Sequence, residues 1–164
     1  MVNEFQGMKL LILGGMRISC EIIHKAKSMG IYTIVADYNK IEDSPGKKIA
    51  DEHFLVSTID VDEIVKLIKE QEINGVMVGF NDFMLPYYAE ICKKSGLPSY
   101  GTKEQFDIFT NKGIYKKLCR KYNVPTVEEY SINQILNGKL DDELSFPVLV
   151  KPTDSSGAKG ITVC

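Results

Sequence analysis

The stretch FPVLVKPTDSSGAKGIT, residues 146–162, decides how this chain is read: an apolar run enters a lysine and then a small-residue loop with two glycines. Pro147 to Val150 predict a strand that delivers Lys151. Ser155, Ser156, Gly157, Ala158, Lys159 and Gly160 predict a loop rich in backbone donors and hydroxyls, with a second cation. Such a loop suits a polyphosphate, because phosphate oxygens need many N–H groups at close range and residues without bulk let the backbone approach. Lys151 and Lys159 then offset the phosphate charge. The loop is not a P-loop: the GxxxxGK[ST] spacing is missing, and Ile161, Thr162, Val163 and Cys164 suit a returning strand, not a helix. Taken alone, an ordinary hairpin turn with solvated lysines explains these residues as well, so the decision rests on what precedes them.

Upstream, Lys112 follows Phe109, Thr110 and Asn111 at the start of a segment with helical periodicity. Ile114, Leu118 and Tyr122 fall four apart and predict one apolar stripe down a helix otherwise marked by Lys116, Lys117, Arg120 and Lys121. Asn123, Val124, Pro125 and Thr126 then stop the helix and begin an extended run. In this order (lysine, basic helix, V-P-T, polar stretch, strand, lysine, Ser/Gly loop) the chain resembles the ATP-grasp superfamily of ligases, with carbamoyl-phosphate-synthase-like members the nearest in character. The resemblance implies that Lys112 and Lys151 contact ATP and that Ser155, Ser156, Gly157, Lys159 and Gly160 belong to the loop that covers its phosphates. Asn111 stands where the family often shows Asp. The resemblance also implies a reaction: ATP activates a carboxylate as an acylphosphate, and an amine attacks it. Small-molecule carboxylate and amine substrates follow, as does magnesium, with its acidic ligands expected downstream of this chain. No residue here is assigned a catalytic role.

The first hundred residues alternate. Lys9 to Leu13 predict a strand ending at Gly14 and Gly15, and Ile18, Ile22, Ile23, Ala26 and Met29 a helix face closed by Gly30. Tyr32 to Ala36 predict a second strand ending at Asp37, with a polar loop through Ser44, Pro45 and Gly46. His53 to Val56 predict a third, and Val61, Ile64, Val65 and Ile68 the next helix face, with Asp60 as its cap. Gly75 to Val78 predict a fourth, a helix to about Lys94 follows, and a short fifth strand is expected after Pro98. The fold class is therefore α/β: a doubly wound, Rossmann-like parallel sheet over residues 1–105, followed over 106–164 by a partial α+β lobe.

Ligands of such sheets meet the loops at the carboxyl ends of the strands, which makes Gly14, Gly15, Asp37, Asn81 and Asp82 the substrate-binding candidates. For Asp37, capping of the strand end is an equal alternative, and for Asn81 and Asp82 helix N-capping suffices. In the resemblance, this half of the chain helps to form the acceptor-substrate site. A competing reading is a non-catalytic nucleotide- or dinucleotide-binding module, since a glycine turn after the first strand and an acid after the second also describe that fold. Gly14, Gly15, Met16, Arg17, Ile18 and Ser19 nevertheless miss the GxGxxG spacing. A third reading makes the α/β half a dimerisation platform, giving a homodimer through an exposed apolar face.

Composition bounds the rest. With 164 residues, 44% hydrophobic, 26% charged and a net charge of −2, the chain is ordinary for a globular protein and shows no basic-aromatic platform for nucleic acid. Cys20, Cys92, Cys119 and Cys164 match neither a metal-ligand nor a disulfide spacing and suit a reducing cytoplasm, while no apolar run reaches membrane-spanning length. His24 and His53 receive no role. The sequence stops one strand past the Ser/Gly loop, so a fragment of a longer ligase is expected, inactive alone, with Val148, Val150, Ile161 and Val163 left exposed on a hairpin.

Overall fold

The computed structural model describes residues 4–138, 144–152 and 160–164. The chain divides into two compact units, Met1–Phe106 and Asp107–Cys164. In the first, strands β1 (Lys9–Leu13), β2 (Tyr32–Asp37), β3 (Glu52–Leu55) and β4 (Gly75–Val78) form one parallel sheet in the order β3-β2-β1-β4. Because side chains alternate across a strand, the paired residues Leu11, Ile34 and Val76 share one face with Leu13, Ala36 and Val78. Helices α3 (Val61–Glu70) and α4 (Leu85–Ser95) cover that face with Ile64, Leu67, Ile68, Tyr88, Ile91 and Cys92. On the opposite face, Ile12 and Val35 pack with Ile23 of α1 (Ser19–Ser28) and with Ile49 of α2 (Pro45–Ile49). Helices on both faces explain why β1 and β2 read as continuous apolar runs.

The local signals act as their chemistry requires. Asp60 caps α3 by accepting from the Glu63 amide, and Gly96 ends α4 at φ 68°, a left-handed conformation that glycine adopts without steric cost. Asp51 fastens the start of β3: its carboxylate accepts from the Thr33 amide at 2.8 Å and hydroxyl at 2.7 Å, and Lys27 of α1 pairs with it at 2.8 Å.

In the first unit, three expectations need correction. The segment after Pro98 is irregular and adds no fifth strand among the described residues. Tyr100 stacks on Tyr88 with centroids 4.4 Å apart, and its hydroxyl donates to the carbonyl of Val78, the last residue of β4, at 3.1 Å. The polar stretch after Asp37 is not wholly loop, since Ile41–Asp43 forms a 3-10 turn and Pro45 opens α2. Proline fits that first turn because its missing N–H has no intrahelical partner there. Finally, neither Asn81 nor Asp82 caps a helix through its side chain: Asp82–Met84 is a 3-10 turn whose Met84 amide bonds the Asn81 carbonyl, and α4 begins at Leu85.

The second unit holds the latter half of α5 (Lys103–Thr110), then α6 (Lys112–Lys121), α7 (Ile132–Leu136) and the antiparallel pair β5 (Leu149–Val150) and β6 (Thr162–Val163). A capping box between Ser131 and Gln134 opens α7. Leu149, Val150, Ile161 and Val163 are exposed on the hairpin, whereas Val148 is half-buried. The stripe expected on α6 is not its buried face. Lys116 and Cys119 are buried, while Ile114 and Tyr122 are exposed.

Candidate functional site

The carboxyl ends of β1 and β2 are tied together by Asp37, which is 3% exposed. One carboxylate oxygen accepts from the Gly15 amide at 2.7 Å and the Ser44 hydroxyl at 3.1 Å; the other accepts from the amide and side chain of Asn39 at 2.7 and 2.9 Å. A buried carboxylate needs this many donors to offset its lost hydration. Lys47 of α2, also buried, donates to the backbone carbonyls of Asp37 and Asn39. Burial pushes the Lys47 ammonium below the usual lysine range, with Asp37 acting in the opposite direction. Ser44, the residue that leads into α2, approaches so closely that a Cβ on Gly15 would lie 2.0 Å from its Oγ. The Gly14 amide, for its part, donates to Ala36 at 2.8 Å. Both glycine amides and the acid therefore face inward, and the outward side chains of this loop are Met16, Arg17 and Ile18.

Across the sheet, β4 leads into Gly79, whose missing side chain leaves room for Ile22 of α1: a Cβ would stand 3.2 Å from Ile22 Cδ1. The turn beyond exposes Phe80 and Phe83, with Asp82 exposed and Asn81 half-buried.

In the second unit, Lys112 is the first residue of α6, directly behind Asn111, whose side-chain oxygen accepts from the Gly113 and Ile114 amides at 3.0 Å each. One turn further, Lys116 is 8% exposed and pairs with Glu129 at 2.9 Å, while Arg120 holds the other Glu129 oxygen at 2.9 Å. Burial raises the Glu129 pKa, but the bonds from Lys116 and Arg120 prevail and hold it below the usual glutamate range. This clasp fixes α6 to the extended segment after Pro125. The sequence reading named Lys116 only among the cations beside the apolar stripe and gave Glu129 no place; two cations one turn apart, with an acid beyond the V-P-T turn, were the available signal. Ser44 and Lys47 were missed too, and Ser44-Pro45 as a helix start was theirs.

Lys151 follows β5 directly and is half-buried. Gly160 has φ +71°, and a Cβ there would stand 3.0 Å from Pro152 Cγ, so the return of the hairpin requires glycine. Ser155, Ser156, Gly157 and Lys159 lie outside the described residues. Among the described residues, no group of three or more His, Cys, Asp or Glu is placed to hold a metal ion, and no helix is long and apolar enough to cross a membrane. The four cysteines are free.

No family model matches the chain. It is, however, 27% identical over 169 residues to the 2-oxoglutarate carboxylase small subunit of Hydrogenobacter thermophilus, covering 95% of this chain and 35% of that protein. It is 26% identical over 159 residues to the formate-dependent phosphoribosylglycinamide formyltransferase of Prochlorococcus marinus strain MIT 9515, covering 96% and 40%. The crystal structure of the biotin carboxylase domain dimer of the Hydrogenobacter carboxylase, solved with MgADP, ADP and bicarbonate, superposes with a TM-score of 0.77 at 25% identity, over 95% of this chain and 37% of that one. These proteins are ATP-grasp enzymes. The chain is an ATP-grasp relative. It spans between 35% and 40% of the length of these three, and its parallel sheet with flanking helices is that of the ATP-grasp N-terminal part.

Proposed function

We propose that this chain supplies the N-terminal portion of an ATP-dependent carboxylate–amine ligase that works through an acylphosphate. The observation that carries the reading is the antiparallel pairing beside Lys151. Val150 pairs with Thr162, and the lysine stands where β5 ends, next to the Pro152 that Gly160 packs against. Lys112 opens α6 on a well-formed cap, and the Glu129 clasp sets the orientation of that helix.

On this reading Lys112 and Lys151 bind the nucleotide, and the backbone around Gly160, with Ser155, Ser156, Gly157 and Lys159, covers its phosphates. ATP, when bound, supplies the phosphoryl group that turns a carboxylate oxygen into a leaving phosphate. The lysines neutralise the charge that develops as the group is transferred and hold it in line with the attacking oxygen. Magnesium has no ligand set among the described residues, and no step is assigned to it. The loops after β1 and β4 form the acceptor side. Asp37, with Gly15 bound to it, shapes that side without offering its own carboxylate.

The surroundings of Asp37 weigh against a dinucleotide-binding module. That fold uses the acid after its second strand to bind ribose hydroxyls. Here the acid is buried and already accepts four hydrogen bonds. Photolabelling with azido-ATP, followed by peptide mapping, tests the proposal: modified peptides are expected from residues around 112 and from 146–163, suppressed by excess Mg-ATP. Labelling confined to residues 14–37 contradicts it.

A further inference from the structure

The sheet order places β2 and β3 on one side of β1 and β4 on the other, so the winding reverses between β1 and β4. At such a switch point the two carboxyl-end loops diverge and leave a crevice for a ligand. The two loops lie side by side here, because Gly79 at the end of β4 packs against Ile22 of α1, the helix entered by the β1 loop. Their outward side chains form an unusual set. Phe80 is 73% and Phe83 63% exposed, joined by exposed Met16. Large apolar groups gathered at one edge are characteristic of a binding surface. The charged groups in the same loops are one cation, Arg17, and one anion, Asp82, both exposed and neither in an ion pair among the described residues.

We infer that the edge formed by these two loops takes an α-amino acid with an apolar or aromatic side chain. The argument is one of complementarity. Arg17 offers a planar pair of donors to an α-carboxylate and Asp82 an acceptor to an α-ammonium, while Phe80, Phe83 and Met16 remove the apolar side chain from water. A phosphorylated sugar carries two negative charges and a hydroxylated ring; one arginine balanced by an aspartate, amid phenylalanines, matches neither. The inference rests on the ligase reading, in which this edge receives the acceptor, and it names the chemical class of that substrate.

The test is titration of the 164-residue chain with L-phenylalanine, glycine and ribose 5-phosphate, read by saturation-transfer NMR and calorimetry, with Mg-ATP titrated separately. L-Phenylalanine is expected to bind at least about tenfold more tightly than glycine or ribose 5-phosphate. Phe80→Ala and Arg17→Gln are each expected to weaken it about tenfold without lowering the melting temperature, since both side chains are exposed. Preference for ribose 5-phosphate, absence of phenylalanine binding, or an affinity indifferent to both substitutions overturns the inference. The nucleotide arm separates the two claims. Mg-ATP binding without phenylalanine binding defeats this inference alone, whereas substitution-sensitive phenylalanine binding without nucleotide binding upholds the amino-acid site and contradicts the ligase reading.

Discussion

Asp37 and Gly15 show how a glycine turn and an acid can belong to the scaffold of a site. A methyl group on Gly15 has nowhere to go, with Ser44 Oγ 2.0 Å and Asp37 Oδ2 3.2 Å from its position. Gly15→Ala is therefore expected to destabilise the first unit by about 1–3 kcal/mol through overpacking. Asp37→Ala leaves the Gly15 amide, the Ser44 hydroxyl and Asn39 without their acceptor and is expected to cost about 3 kcal/mol, both effects read from urea unfolding midpoints. Asp51 makes a prediction in pH. Burial raises its pKa, but Lys27 and the Thr33 amide and hydroxyl prevail, and the folded value lies below the ordinary one. Such a group contributes stability that is present above its unfolded pKa, near 4, and lost as pH falls through the folded pKa. Unfolding measured between about pH 5 and pH 2 should then show a shallower acid loss in Asp51→Asn than in the parent.

At the scale of elements, α6 carries the clearest prediction. Lys116 is buried against Glu129, so Glu129→Gln leaves an ammonium with a weaker partner in a dry position. Because Glu129 is a third exposed, the expected cost is about 1–3 kcal/mol, below that of a fully buried pair. Amide hydrogen exchange across residues 112–121 should quicken accordingly, and unchanged protection would show that the clasp does not hold the helix. Asn111→Ala removes the cap and is expected to cost about 1 kcal/mol in the same measurement. This element also shows where the sequence was legible. The periodicity after Lys112 and the V-P-T stop marked the limits of α6, yet the buried face was misread, because an ion pair with a residue beyond the turn draws in a lysine that lies off the apolar stripe. The missing fifth strand has a similar cause. Tyr100 satisfies the Val78 carbonyl from an irregular segment, a long-range contact that propensity does not carry. By contrast, β1 to β4 and their helices follow from alternation alone, since each is built from a short apolar run between turn signals.

For the whole molecule, the order of elements carried more than any single motif. Gly14, Gly15 and Asp37 fit several folds and functions, and their inward hydrogen bonds emerged only with Ser44 and Lys47 in place. Lys112 and Lys151, separated by a basic helix and an extended run, made the resemblance to ATP-grasp ligases, and relatives matched over 95% and 96% of the chain bear out that likeness. The central claim is that these two lysines bind ATP. Calorimetric titration with Mg-ATP and with NAD, on the parent chain and on Lys112→Ala and Lys151→Ala, tests it most directly. The account predicts Mg-ATP binding that falls at least about tenfold with either substitution, as expected for loss of a charge-assisted contact to phosphate, and no response to NAD. NAD binding, or an ATP affinity indifferent to both lysines, would contradict it.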